Sequence, residues 1–434
     1  MIDSNFKDKI RIIENKIKIW KRRYLSPLGK ITVIKSLLIP ILTHLFISLP
    51  NPNSAIIAQL NRLFFNFLWD GPAKIKNTVI IKQYSEGGLN MINLSAFLDS
   101  LKLTWLRRLL KENSKWKLLV DNMFNFNKLL IFGQSYCEAT IDTLSNNFWR
   151  DVLRSYSKLL QAYVPQGDFD FLSSPLLYNK NIKIGGIPIN SQSWYKNGLF
   201  YVNYIINQNG VIYTLKELEE KLNIKLNFLQ YIGFKASLTS YKSKIPKITG
   251  VTKLTYPIRP PIINLFFKST KGCSDFYNIL NKNNDVPTSK GKWNNTYNIE
   301  NETWKEIYQS PFNLPVSSLL QWFQYRINHR ILSTKSYLYK IKIIDSPLCT
   351  SCNLTVDETI THMLWSCPET KKFLEQIKSM LHSKNIQFNL SEELYIFNIG
   401  KRYNIGTLIL ILETKYYIFS SKRLGIPLSI KAFK

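Results

Sequence analysis

The chain has 434 residues with 45% hydrophobic content, 58 Lys and Arg residues against 29 Asp and Glu residues, and a formal net charge of +29. This composition excludes a disordered chain and is sufficient for two or three domains with buried cores. The charge predicts a polyanionic partner, nucleic acid first and a membrane surface second, although the preference for Lys over Arg is also typical of AT-rich coding sequences.

The apolar runs Ile39 to Leu49 and Thr407 to Leu412 are shorter than the roughly 20 residues that span a bilayer. No secretory leader follows Met1, and Cys137 and Cys273 are solitary. We therefore expect a reducing intracellular compartment, the nucleus or the cytoplasm, and no membrane partner.

The first segment predicts a basic amphipathic helix, because its apolar residues recur three and four positions apart. These residues are Ile10, Ile13, Ile17, Trp20 and Tyr24. A turn at Ser26-Pro-Leu-Gly29 precedes a second helix, which we expect from about Lys30 to Leu38 with its end at Pro40. The two helices would flank one basic turn.

A third helix is expected after Pro52, with its end at Asp70-Gly71. The glycine pair in Glu86-Gly-Gly-Leu89 permits a positive φ or a close backbone approach, and most such pairs are simple turns. Residues 91–112 again predict a helix, with Trp105 on its apolar face and Arg107 and Arg108 projecting outward.

The pattern predicts a mainly α protein with four regions: a basic helical region at 1–112, a helical connector at 113–239, a linker at 240–299 and a carboxyl-terminal domain at 300–434. The linker is inferred from its many Pro, Lys and Asn residues. The last region carries Leu319, Phe323 and Ile327 at helical spacing, with Arg326 and Arg330 nearby.

Within the last region, Cys349, Cys352, His362 and Cys367 follow the spacing C-x2-C-x9-H-x4-C. Thiolates and an imidazole are the ligands of closed, tetrahedral zinc sites, so the pattern predicts a structural zinc site without a position for a reacting water. We expect the first pair on a tight turn, and Thr355-Val-Asp-Glu358 as a capping box that opens a short helix carrying His362. The alternative is a chance cluster of buried cysteines beside a surface histidine.

Four motifs in this order resemble the segment just downstream of the polymerase core in LINE-type (non-LTR) retrotransposon reverse transcriptases. They are Trp20-Lys-Arg-Arg-Tyr-Leu-Ser-Pro-Leu-Gly-Lys-Ile-Thr-Val-Ile-Lys35, Leu38-Ile-Pro40, Phe67-Leu-Trp-Asp-Gly71 and Glu86-Gly-Gly-Leu89. The cysteine and histidine cluster resembles the zinc-binding domain near the carboxyl end of the same proteins. The resemblance begins at about Phe6 and implies homology over nearly the whole chain.

The resemblance implies a thumb and everything after it. The family's palm carries a Phe/Tyr-x-Asp-Asp motif that holds two metal ions, whereas this sequence contains no Asp-Asp pair. We therefore expect no polymerase activity from this chain alone, and the family's amino-terminal endonuclease is also missing. Two alternatives remain open: a truncated gene model of a full-length reverse transcriptase and endonuclease, and a zinc-stabilised adaptor or relic that binds another protein.

In the family, the thumb grips the backbone of the template and primer duplex, and the zinc domain is implicated in binding element RNA or target DNA. The resemblance thus implies a structural zinc held by Cys349, Cys352, His362 and Cys367. It also implies RNA and DNA as partners, with a polymerase core as a further possible partner. The candidate nucleic-acid-binding residues are Lys21, Arg22, Arg23, Lys30, Lys35, Arg107, Arg108, Arg326 and Arg330, with Lys340 nearby. For each of them, an ordinary solvated surface is the alternative.

Overall fold

The computed structural model describes residues 2–110, 115–163, 171–172, 174–207, 211–243, 265–266, 272–382, 391–400 and 404–433. Across these residues the chain is mainly helical, which confirms the predicted fold class. The strands in this part of the chain, Lys183–Ile184 (β1) and Ile187–Pro188 (β2), pair antiparallel.

In chain order, the helices up to residue 243 are α1 (Ile2–Lys21), α2 (Pro27–Val33), α3 (Pro40–Ser48), α4 (Ser54–Trp69), α5 (Asn77–Ile80), α6 (Leu94–Leu109), α7 (Lys115–Asp121), α8 (Phe126–Ile141), α9 (Asn147–Ala162), α10 (Gln192–Lys196), α11 (Leu215–Leu222) and α12 (Phe228–Ser243). After residue 271 they are α13 (Ser274–Leu280), α14 (Thr288–Tyr297), α15 (Asn301–Gln309), α16 (Ser318–Asn328), α17 (Lys335–Lys340), α18 (Pro368–His382), α19 (Glu392–Phe397), α20 (Ile405–Leu424) and α21 (Ile430–Phe433). Short 3₁₀ turns cover Tyr84–Glu86 and Val202–Ile205, and π-helical turns cover Ile34–Leu38 and His362–Ser366.

The second predicted helix begins earlier and is followed by another. Ser26 caps α2, since its Oγ accepts a hydrogen bond from the Gly29 amide at 3.3 Å, and Pro27 occupies the first helical position. The helix ends near Pro40 as predicted, but a new helix starts at that proline after a bend of 47°. No single described helix is long and apolar enough to cross a membrane, and this bent pair meets that test only with its halves combined.

The Glu86-Gly-Gly-Leu89 motif forms a close backbone approach. Gly87 adopts a φ of 85°, and a Cβ on Gly88 would lie 1.9 Å from the carbonyl oxygen of Lys82. The carbonyl oxygen of Gly87 also accepts a hydrogen bond at 2.9 Å from the hydroxyl of Tyr325. Both glycines are therefore required by local geometry and by packing.

The chain divides into two compact units, each built from separated segments. Unit 1 comprises Met1–Lys7, Leu42–Ile57 and Asn93–Lys282, whereas unit 2 comprises Asp8–Ile41, Ala58–Ile92 and Asn283–Lys434. The basic amino-terminal helices and the carboxyl-terminal region with the cysteine cluster thus belong mostly to the same unit.

Unit 1 has an aromatic-rich core in which α9 packs against α6 and α8. Trp105 on α6 and Trp149 on α9 are both buried, with ring centroids 6.0 Å apart in an edge-to-face arrangement. The predicted apolar face around Trp105 is confirmed.

Unit 2 has its own core, to which α14 to α16 and α18 to α20 contribute. Trp293 on α14 is 1% exposed, and its indole N–H donates to the carbonyl oxygen of Asn328 at 3.1 Å. Trp293 lies in the segment expected to be a linker, so the described part of that segment from 272 to 299 is packed helix rather than linker. Its remainder falls largely outside the described residues.

Candidate zinc centre and basic surfaces

The first cysteine pair lies on a loop closed by a short backbone bridge. Leu348 and Asp357 form an isolated antiparallel bridge, and the Cys349 amide donates to the carbonyl oxygen of Val356 at 2.9 Å. Cys352 lies on the turn between the two sides of this bridge. The expected tight turn is therefore present, and the backbone pairing fixes its ends.

His362 and Cys367 stand at the two ends of a π-helical turn. The Cys367 amide donates to the carbonyl oxygen of His362 at 2.9 Å, the i to i−5 bond of a π-helix. Cys367 is extended, and α18 begins directly after it at Pro368. This single turn places the imidazole and the thiol side by side, next to a helix amino terminus.

The capping box predicted at Thr355-Val-Asp-Glu358 is wrong. Glu358 is buried, and its carboxylate accepts from the Lys335 amide at 3.1 Å, so it caps α17 instead of the helix that carries His362. Thr359 takes the predicted role, because its Oγ1 accepts a hydrogen bond from the His362 amide at 3.1 Å. Sequence spacing located the helix but misplaced its first residue.

The four side chains converge as zinc ligands require. One ligand atom from each of Cys349, Cys352, His362 and Cys367 lies within 4.8 Å of every other, and Cys352 Sγ is 3.6 Å from His362 Nε2. Tetrahedral zinc with Zn–S bonds of about 2.3 Å separates its ligand atoms by roughly 3.5–3.8 Å. The donor set and its spacing therefore fit a closed structural zinc site.

A lysine from α20 influences the electrostatics of this cluster. Burial raises the pKa of the Cys367 thiol, but the Lys422 ammonium and the amides of Thr370 and Glu369 outweigh it and bring the pKa below the ordinary value. Burial, followed by repulsion from Lys422, lowers the pKa of His362. Three thiolates, one imidazole and Zn²⁺ carry a net charge of −1, which the Lys422 ammonium would offset.

The candidate basic residues near the amino terminus differ in their exposure to solvent and in their polar contacts. Lys30 is 7% exposed and forms an ion pair with Asp70, and Lys21 lies 3.6 Å from the same carboxylate. Arg22 and Arg23 are exposed. Lys35 is also exposed, and its Nζ donates to the carbonyl oxygen of Asn90 at 3.2 Å. We call these five basic residues, Lys21, Arg22, Arg23, Lys30 and Lys35, the amino-terminal basic surface.

The expectation that Arg107 projects outward is wrong. Arg107 is 8% exposed, and its guanidinium donates to the carbonyl oxygen of Gly272 at 2.6 Å and lies over the ring of Phe276. The reason is that α6 is buried on most of its circumference. Arg108 is half-buried and stacks on Trp105 at 4.2 Å from the ring centroid. Both residues therefore serve the packing of unit 1.

The guanidinium groups of Arg326 and Arg330 also pack against aromatic rings. The guanidinium of Arg326 lies 5.5 Å from the ring centroid of Phe419, and burial lowers its pKa to about 10. Arg330 lies 4.4 Å from the ring centroid of Trp293, and it donates to the carbonyl oxygen of Lys292 at 3.2 Å. Arg330, unlike Arg326, lines an open cavity of about 630 Å³.

The sequence reasoning missed four lysines near these sites. Lys74, Lys76 and Lys292 line the same cavity as Arg330, and Lys422 adjoins the cysteine cluster. Lys74 and Lys76 follow the Asp70-Gly71 motif closely in the sequence, and this proximity was the one feature that could have singled them out. Lys292 and Lys422 lie on helices whose sequence patterns carry no mark of these neighbours.

Comparisons with known proteins agree with this geometry. The family model described as zinc-binding in reverse transcriptase matches residues 273–373, which include all four cluster residues. The chain is also similar to the Transposon TX1 uncharacterized 149 kDa protein of Xenopus laevis, with 25% identity over 195 residues. That match covers 42% of this chain and 15% of the relative. The chain therefore carries a retrotransposon reverse transcriptase zinc-binding region.

Proposed function

From this retrotransposon reverse transcriptase zinc-binding region, we propose that the chain is the nucleic-acid-binding carboxyl-terminal portion of an RNA-directed DNA polymerase. It would bind a template and primer duplex or element RNA through basic helices, and the zinc would hold the small cysteine-rich module folded. The chain alone would not polymerise. We place this activity inside the cell, in the nucleus or the cytoplasm, where a polymerase core could act with it.

The observation that carries this proposal is the coincidence of the family match with the converging ligand atoms of Cys349, Cys352, His362 and Cys367. The net charge of +29 supports a polyanionic partner. Contacts of Lys and Arg with phosphates give affinity that depends on salt and not on sequence, which suits a polymerase moving along its template.

A second candidate function is supported by exposed apolar side chains beside the cysteine loop. Ile341 is 45% exposed, Ile343 65% and Leu354 50%. Contiguous exposed apolar patches are typical of surfaces that contact another protein. This observation favours the zinc-stabilised protein-interaction alternative.

One titration separates the two candidates. The fluorescence anisotropy of a labelled RNA–DNA hybrid is followed against protein concentration at several salt concentrations, with zinc quantified in the same sample. We expect one zinc per chain and an affinity that falls steeply as salt rises, because each phosphate contact releases counterions. One zinc without nucleic-acid binding would contradict the proposal and favour the protein-interaction candidate.

A further inference from the structure

Unit 2 contains a cavity of about 630 Å³ that is built from segments far apart in the sequence. Its walls come from the loop after α4, α14, the end of α16, α17 and the turn that leads into His362. Five cationic side chains line it, namely Lys74, Lys76, Lys292, Arg330 and Lys340, and we call this site the basic cavity. Its volume lies within the roughly 300–1,000 Å³ typical of ligand sites.

In the described part of the chain, the cations of the basic cavity have no acidic partners. Among the described residues that line the cavity, none is Asp or Glu, and none of its five cations belongs to an ion pair within the described ranges. Repulsion from Lys340, ahead of burial and of Arg330, lowers the pKa of Lys292. An anion in the cavity would relieve this repulsion.

The arginine of the cavity is held in place before any ligand arrives. Arg330 has a φ of 54°, its guanidinium stacks on buried Trp293, and one of its N–H groups donates to the carbonyl oxygen of Lys292. A guanidinium fixed in this way loses little conformational entropy when its remaining donors bind phosphate oxygens. Thr288, Ser336 and Tyr337 line the same cavity, and their side chains carry hydroxyl groups that can act as neutral donors.

We propose that the basic cavity binds a backbone phosphate of a single nucleic-acid strand, with Lys292, Arg330 and Lys340 as its principal cations. The inference rests on the proposed function and names one place where the strand is held. A strand fits better than a magnesium nucleotide, because the described lining residues offer no carboxylate to hold Mg²⁺.

The cavity is also connected to the zinc centre. Thr359 and Ile360 form part of its wall, and the Thr359 hydroxyl accepts a hydrogen bond from the His362 amide. A bound zinc that fixes His362 would therefore fix this wall of the cavity. We therefore expect strand binding in the cavity to weaken when the zinc is removed.

The test uses the full chain and a fluorescein-labelled strand of about 20 deoxyadenosine and deoxycytidine residues, with anisotropy measured across a salt series. Lys292→Gln/Lys340→Gln should raise the Kd about tenfold and lower the salt slope by about 0.7, since the cavity would neutralise one phosphate and each phosphate neutralised on a single strand contributes about 0.7. The matched control is Lys371→Gln/Lys378→Gln, which removes two exposed lysines of α18 that do not line the cavity. We expect the control variant to change the Kd by less than about twofold.

Folding is checked by thermal unfolding and zinc content, which should equal those of the wild type because both lysines are exposed. A second variant, Lys74→Gln/Lys76→Gln, alters the part of the wall that comes from the loop after α4 and should also weaken binding. Equal effects of cavity and control variants would overturn the inference and leave the proposed function standing. No binding of the strand by the wild type would overturn the inference alone, and no binding of the RNA–DNA hybrid either would overturn both. Equal competition by unlabelled AMP at matched phosphate concentration would overturn the assignment to a strand.

Discussion

The amino-terminal basic surface and the basic cavity lie in the same unit and carry the same kinds of charge, but their charges are balanced differently. At the amino-terminal basic surface, Asp70 forms ion pairs with Lys30 and Lys21. In the basic cavity, the described lining contains no carboxylate. Charge counted along the sequence is therefore a poor guide to anion binding, because the relevant quantity is the positive charge that lacks an internal partner.

The largest expected effect comes from removing the zinc, since structural zinc supplies on the order of 10 kcal/mol of folding free energy in small modules. Cys349→Ser should lose the metal and unfold the turn that bears His362, so that the basic cavity loses one wall while the amino-terminal basic surface stays intact. Zinc stoichiometry and amide hydrogen exchange over residues 347–367 measure this. Cys273→Ser, outside the cluster, is the control that should keep its zinc. Full zinc content in Cys349→Ser would refute the ligand assignment.

The second largest effect is expected from removing charge at the amino-terminal basic surface. Replacing Lys21, Arg22 and Arg23 together with Ala should weaken binding to an RNA–DNA hybrid several-fold and lower the salt slope by about 2, because Asp70 already neutralises part of the charge of Lys21. The control variant replaces Arg11, Lys16 and Lys18 with Ala, which removes the same charge from three exposed positions of α1. An identical slope in the wild type and the first variant would show that this surface is only solvated.

A smaller effect is expected from removing the carboxylate of Asp70, which pairs with Lys30 and Lys21. Asp70→Asn should destabilise unit 2 by about 1 kcal/mol, because buried Lys30 keeps its charge but loses its carboxylate, while half of Asp70 is exposed to water. The same change should strengthen hybrid binding slightly, since Lys21 becomes free. Urea unfolding and anisotropy measure the two effects, with Asp345→Asn as the exposed control. Unchanged stability together with unchanged affinity would contradict the role given to Asp70.

The smallest expected effect is a dependence on alkaline pH. The pKa of Lys292 is lowered from 10.5, chiefly by Lys340, so this lysine loses its proton at a lower pH than an unperturbed lysine. As the pH rises toward 10, affinity for the deoxyadenosine and deoxycytidine strand should fall by about twofold, because one phosphate contact weakens. Lys292→Gln should show a flatter profile. Parallel profiles for the two proteins would show that Lys292 does not contact the strand.

The sequence allowed the zinc centre to be predicted in more detail than the basic cavity. The four ligands lie between Cys349 and Cys367, so local spacing alone brings them together, and the π-helical turn needs only the few residues between His362 and Cys367. The cavity combines residues 74–76 with 292, 330 and 340, and no local pattern reports contacts at such separations. Arg107 was misjudged for a related reason, since periodicity does not show that other helices cover both faces of α6.

The hydrogen bond between Gly87 and Tyr325 joins two segments of unit 2 that are synthesised at different times, which affects when this unit can fold. Segment Ala58–Ile92 of unit 2 leaves the ribosome before Asn93–Lys282, yet some of its partners, such as Tyr325, lie in Asn283–Lys434. At about 5–20 residues per second, these 190 intervening residues take roughly 10–40 s to translate. During that time apolar side chains of α4, such as Phe64 and Phe67, lack the carboxyl-terminal part of their unit. Unit 1 can thus complete its fold once Lys282 has left the ribosome, whereas unit 2 becomes complete only after Asn283–Lys434 has been translated.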